Sequence, residues 1–65
     1  MDLGHSLKIA LAKKNIKQKD FAERLKVSAQ QVSKWINTGK ISSTNLGSIC
    51  EELNMQVSEF VSLGE

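Results

Sequence analysis

QKDFAERLKVSAQQVSKWIN, residues 18–37, reads as two short helices joined by a tight turn. At ~100° per residue, Ala29, Gln30, Ser33, Lys34 and Asn37 of the second helix fall within an arc of about 140°. Val32, Trp35 and Ile36 fall on another arc about 100° wide, so one side packs and the other stays free. The free side carries small and hydrogen-bonding residues with one lysine, without the alternating Glu/Lys pattern of a merely solvated helix. Slim residues for close approach, with amide and ammonium groups for base edges, suit a helix laid in a DNA major groove.

The first of the two helices puts Phe21, Ala22 and Leu25 inward. Ala22 is small where the next helix crosses, which permits close backbone approach. Lys26 and Val27 make the turn, with Val27 as its buried plug. Ser28 then caps the next helix, and Gln31 three residues on matches a capping box. Gly39, in Thr38-Gly39-Lys40, supplies the positive φ of a sharp exit.

Upstream, LGHSLKIALAKK (3–14) reads as a helix capped by Asp2, with Leu3, Leu7, Ala10 and Leu11 on one face and the stem of Lys14 alongside. Asn15 ends it, because asparagine tolerates the left-handed conformation, and Ile16 anchors the link. His5 has no second ligand at metal-binding spacing and reads as a surface histidine. Downstream, one of Ser42, Ser43 and Thr44 caps a fourth helix whose inner face is Leu46, Ile49, Cys50 and Leu53. Gly47 reads as a close-packing site, and Cys50 as a small buried hydrophobe rather than a nucleophile. Asn54 ends this helix and Met55 fills a gap. Gln56, with Glu59 three residues on, caps a fifth helix whose Val57, Phe60 and Val61 face inward, with Leu63 at the rim. The predicted helices are 3–14, 18–25, 29–37, 44–53 and 57–62. The predicted core is Leu7, Leu11, Phe21, Leu25, Val27, Val32, Trp35, Ile36, Leu46, Ile49, Leu53 and Phe60.

Length and composition bound the function. Sixty-five residues make one small domain, which buries only ~60% of its unfolded surface and is marginally stable. One cysteine allows neither an internal disulfide nor a thiolate metal cluster and fits a reducing cytosol. The apolar runs are far too short to span a bilayer, and lysines threaded through residues 1–15 argue against a secretory leader. Residues 1–40 carry +6 and residues 41–65 carry −4, within a formal net charge of +2. Such a bipolar domain can present its basic end to a polyanion. No carboxylate–histidine constellation, phosphate loop or metal motif is present, and so short a chain has no room for a sizeable pocket. No enzyme activity, metal, cofactor or small-molecule ligand is expected.

The pattern resembles the helix-turn-helix domain of the phage repressor and Cro family, over about residues 5–63. The residues that carry the resemblance are Gln18, Phe21-Ala22, Val27, Val32, Trp35 and the exit WINTGKIS at 35–42. The resemblance implies an all-α, compact five-helix bundle that binds palindromic operator DNA as a dimer, either as a whole Cro-like protein or as the N-terminal domain of a longer repressor. By position, Ala29, Gln30 and Lys34, with Ser33 beside them, match the base-reading residues. Gln18, Asn37 and Lys40 match phosphate contacts, and Lys17 and Ser28 join them. Dimerisation is expected through the last helix and the 38–44 loop, and weakly, because the core consumes most of the apolar residues.

Three positions depart from the family pattern. Lys17 stands where a Ser or Thr cap is usual, and a missing cap costs ~1 kcal/mol. Lys26 stands where the turn usually has glycine. Leu11 and Ile36 replace a buried arginine–glutamate pair found in many relatives, a swap that strands no charge. The sequence therefore reads as a cytoplasmic, sequence-specific DNA-binding regulator. The alternative is a helical protein-interaction module, such as an antitoxin or adaptor, using the same fold; the polar face of the third helix argues against it.

Overall fold

A computed structural model describes residues 2–64 of the chain. Five helices follow one another: α1 (Leu3–Lys14), α2 (Gln18–Leu25), α3 (Ala29–Thr38), α4 (Ser43–Glu52) and α5 (Val57–Leu63), with no strand among the described residues. The all-α, five-helix expectation holds, with α3 one residue longer than predicted, α4 shifted one residue towards the N-terminus and α5 one residue longer.

Local chemistry sets most of the boundaries. Asp2 Oδ1 accepts from the His5 N–H at 3.1 Å and starts α1. Ser28 Oγ accepts from the Gln31 N–H at 3.1 Å, and Ser42 Oγ from the Asn45 N–H at 3.3 Å, so Ser42 is the cap of α4. At α5 the bond runs the other way, from the Gln56 N–H to Glu59 Oε1 at 3.3 Å. Lys17 is extended and makes no side-chain cap to α2.

Three exits share one design. Asn15, Lys26 and Asn54 all have positive φ, at 56°, 61° and 56°. The residue after each folds its N–H back onto the preceding helix: Ile16 to Leu11 O, Val27 to Ala22 O and Met55 to Cys50 O. This is the Schellman arrangement, which satisfies orphan carbonyls and turns an apolar residue inward. Ile16, Val27 and Met55 accordingly pack against the core. Lys26 therefore keeps the left-handed backbone even without glycine. Gly39 ends α3 at φ 70°.

The core is Leu7, Ala10, Leu11, Phe21, Ala22, Val32, Trp35, Ile49, Cys50, Leu53 and Phe60. Four predicted core residues, Leu25, Val27, Ile36 and Leu46, are only half-buried and pack against it from the rim. In a domain this small the second apolar row of each helix already lies at the surface. Ala10 is fully buried as well. Leu11 is buried and Ile36 half-buried, so both of these apolar side chains are shielded and no charge is stranded there. Lys14 is exposed. Two readings are corrected. Val57 is 45% exposed, although it lies one turn before the buried Phe60 and so on the same side of α5. Gly47 is exposed, and a Cβ there would meet nothing within 4 Å, so it is not a close-packing site.

Each helix packs on only some of the others. α2 lies on α3 as the helix-turn-helix pair, α1 lies on both α3 and α5, and α4 packs on α2 and α5. Ser6 is the buried polar residue of the core, and its hydroxyl donates to Val61 O at 3.4 Å, joining α1 to α5. No buried side-chain polar atom among the described residues lacks a partner. Among them, too, no helix is long and apolar enough to cross a membrane.

Candidate nucleic-acid interface

Val32 and Trp35 anchor α3 in the core, with Ile36 half-buried beside them, so the opposite arc must face solvent. Ala29, Gln30, Lys34 and Asn37 are exposed there, and Ser33 is half-buried among them. The side chains are slim except for one glutamine and one lysine, and α3 contains no carboxylate. Asn37 Nδ2 donates to Ser33 Oγ at 3.4 Å, which ties two residues of this face together one turn apart. Ser33 Oγ keeps its own proton to donate elsewhere.

The flanks are polar as well. Lys17 and Gln18 are exposed at the start of α2, where unbonded N–H groups and a basic side chain favour an anion. Ser28 is exposed; its Oγ accepts from Gln31, leaving the hydroxyl hydrogen free to donate outward. Lys40 is exposed just beyond α3. The predicted base-reading and phosphate residues thus lie along α3 and at the two helix starts and the exit beside it.

One residue of this region was not singled out from sequence. Thr38 Oγ1 donates to Lys34 O at 2.7 Å and accepts from the Lys40 N–H at 3.2 Å. It closes the end of α3 and holds the backbone that carries Lys40. Its position before Gly39, at the last turn of a helix, was the available signal.

Asp20 lies in the first turn of α2, close to Lys17 and Gln18, and Glu23 is on the same helix; the acidic residues of the C-terminal part lie elsewhere. Glu51 and Glu52 end α4 and Glu59 is on α5. Glu51 and Glu52 share an open groove with Arg24 and Lys26, where the basic and acidic parts of the chain meet. His5 is exposed, and no group of three or more metal-ligating side chains occurs among the described residues. Burial raises the Cys50 thiol above its ordinary pKa of 9.0, which keeps it protonated and unreactive.

The family model for the Cro/C1-type helix-turn-helix DNA-binding domain matches residues 6–64. The chain belongs to this family. No curated protein and no solved structure matches it. As a Cro/C1-type domain it is a DNA-binding module, and α2 and α3 are its helix-turn-helix. The expected fold family therefore stands, and the turn between the two helices is made with Lys26 in the left-handed conformation.

Proposed function

We propose that this Cro/C1-type domain is a sequence-specific transcriptional regulator of the repressor or Cro kind, acting in the cytoplasm, that places α3 in the major groove of operator DNA. The observation that carries the reading is the carboxylate-free, slim, polar face of α3, held outward by Val32 and Trp35. Gln30 offers an amide that pairs with adenine, and Lys34 an ammonium that reaches guanine. Ala29 leaves room for a thymine methyl, and Ser33 supplies a short donor. Lys17, Gln18, Ser28, Asn37 and Lys40 contact phosphate and set the register.

The operator is palindromic and is bound by two copies. The longest dimension of the domain is 25 Å, whereas two recognition helices in successive major grooves sit ~34 Å apart. One copy therefore covers one half-site. The contact between copies uses α5 and the 38–44 loop, where Val57 is exposed and Ile41 half-buried. So small an apolar area supports a weak dimer that DNA tightens. The domain works in this way whether it stands alone or heads a longer repressor.

Selecting bound duplexes from a random pool, then titrating variants on the selected and a scrambled duplex at two salt concentrations, tests the reading. Lys40→Ala should weaken both duplexes about equally and flatten the salt dependence by roughly one unit of slope per half-site. Gln30→Ala should cost about 1–3 kcal/mol on the selected duplex and little on the scrambled one. Equal losses on both duplexes for Gln30→Ala would refute base reading by α3. If the parent binds neither duplex at low salt, the domain serves protein recognition instead.

A further inference from the structure

We propose that Gly4 is a positioning residue for DNA recognition: the first turn of α1 forms a side-chain-free seat for the C-terminal end of α3, and this fit sets how α3 lies in the groove. The proposal rests on the reading of α3 as the DNA-contacting helix. Glycine inside a helix is disfavoured relative to alanine, yet Gly4 lies inside α1 and is buried. A Cβ at Gly4 would collide with the carbonyl oxygen of Ile36 and lie 2.9 Å from that of Trp35. Both are backbone atoms, which cannot swing aside as a side chain can. Gly47 is the opposite case, a helical glycine with open space around its Cβ position.

The seat has little freedom to give way. On one side Gly39, at the exit of α3, lies against Asp2 and Gly4, with its Cβ position 3.4 Å from Asp2 Oδ1 and 3.5 Å from the Gly4 nitrogen. On the other side, a Cβ at Gly64 would collide with Asp2 O and Ser6 Oγ. Ser6 is in turn bonded to Val61 O. The first turn of α1 is thus wedged between the end of α3 and the end of α5, and α3 and α5 share no extensive contact of their own. Adding a methyl at Gly4 forces the Trp35 carbonyl to retreat by about half an ångström, and the Ile36 carbonyl by more, to reach an ordinary van der Waals separation. Ser33, Lys34 and Asn37 ride on that same turn and move with it. Phosphate contacts made by flexible side chains absorb such a shift, whereas hydrogen bonds to base edges do not.

The experiment compares Gly4→Ala with Gly47→Ala. Circular dichroism and thermal melting establish folding, and titrations on the selected and scrambled duplexes give a preference ratio. Folded Gly4→Ala should keep scrambled-duplex binding within about twofold and lose about tenfold or more on the selected duplex, while Gly47→Ala matches the parent on both. Amide NMR shifts at Ser33, Lys34 and Asn37 should change in Gly4→Ala and stay fixed in Gly47→Ala, a readout that needs no DNA. If Gly4→Ala does not fold, Asp2→Ala and Asp2→Asn decide. Both remove the charge, but only alanine removes the cap that holds the seat, so the preference ratio should be at least about threefold lower for alanine. A folded Gly4→Ala with the parent's ratio and unmoved α3 amides overturns the proposal, as do equal ratios for the two Asp2 variants. A parent that selects no sequence at all is a different result, because it removes the DNA reading while the NMR comparison still reports on the seat.

Discussion

Replacing Lys26 isolates the strain in the turn of the helix-turn-helix. Lys26 sits at φ 61°, ψ 39°, with its N–H bonded back to the end of α2. The left-handed conformation costs a residue with a Cβ roughly 1–2 kcal/mol. Glycine carries no such cost but gives up about 0.4–1 kcal/mol through the greater freedom of the unfolded chain. The balance favours glycine by about 0.5–1 kcal/mol. Because Lys26 is exposed, the change creates no cavity. Lysine also carries a charge near the end of α2, so the fair comparison is Lys26→Gly against Lys26→Ala, which share the loss of charge and differ only in the Cβ. In a domain of this size the glycine variant should melt about 2–8 °C above the alanine variant. Asn15→Gly and Asn54→Gly should gain less, since asparagine already tolerates this conformation. Thermal melts followed by circular dichroism at 222 nm, one variant against the other, measure the difference. Equal or reversed melting temperatures would mean that the turn carries no left-handed strain at position 26 in solution.

Other consequences are accessible to the same methods. Ser28→Ala and Ser42→Ala each remove a cap and should each cost about 1 kcal/mol of stability, but only Ser28→Ala should also weaken DNA binding; matched DNA affinities would remove Ser28 from the interface. Phe60→Ala empties a fully buried site and should cost about 3–5 kcal/mol, enough to leave so small a domain largely unfolded by circular dichroism, whereas a native melt would show that α5 is dispensable to the core. Cys50 should resist alkylation in the folded protein and react quickly in denaturant. Its folded pKa is raised by burial. For this thiol the stability is therefore full below the unfolded value and falls as pH rises through and above 9.0. A Cys50→Ala variant should lose that alkaline dependence.

What could be read from the sequence is what is settled within a few residues. The caps Asp2, Ser28 and Ser42 bond N–H groups three positions on. The exits at Asn15 and Gly39 follow from which residues accept positive φ. The buried face of α3 follows from the spacing of Val32 and Trp35, and its complement is the polar arc of Gln30, Lys34 and Asn37. The lysine at position 26 shows the limit of such reasoning: propensity argues against the left-handed conformation, and the inward fold of Val27 onto Ala22 overrides it.

The remainder depended on elements far apart in the chain. Gly4 and Gly47 are alike in sequence, each a glycine within a helix, yet one lies against the backbone of Trp35 and Ile36 and the other faces open space. Only the packing of α1 on α3 separates them. Ser6 is a serine on an apolar face until α5 brings the Val61 carbonyl to it across 55 positions. Val57 has the spacing of a core residue, but α5 turns Phe60 inward and leaves Val57 in solvent. A helix's periodicity defines which residues share a face; which part of that face is covered is decided by where its neighbours end, and in a domain of 65 residues the neighbours run out quickly.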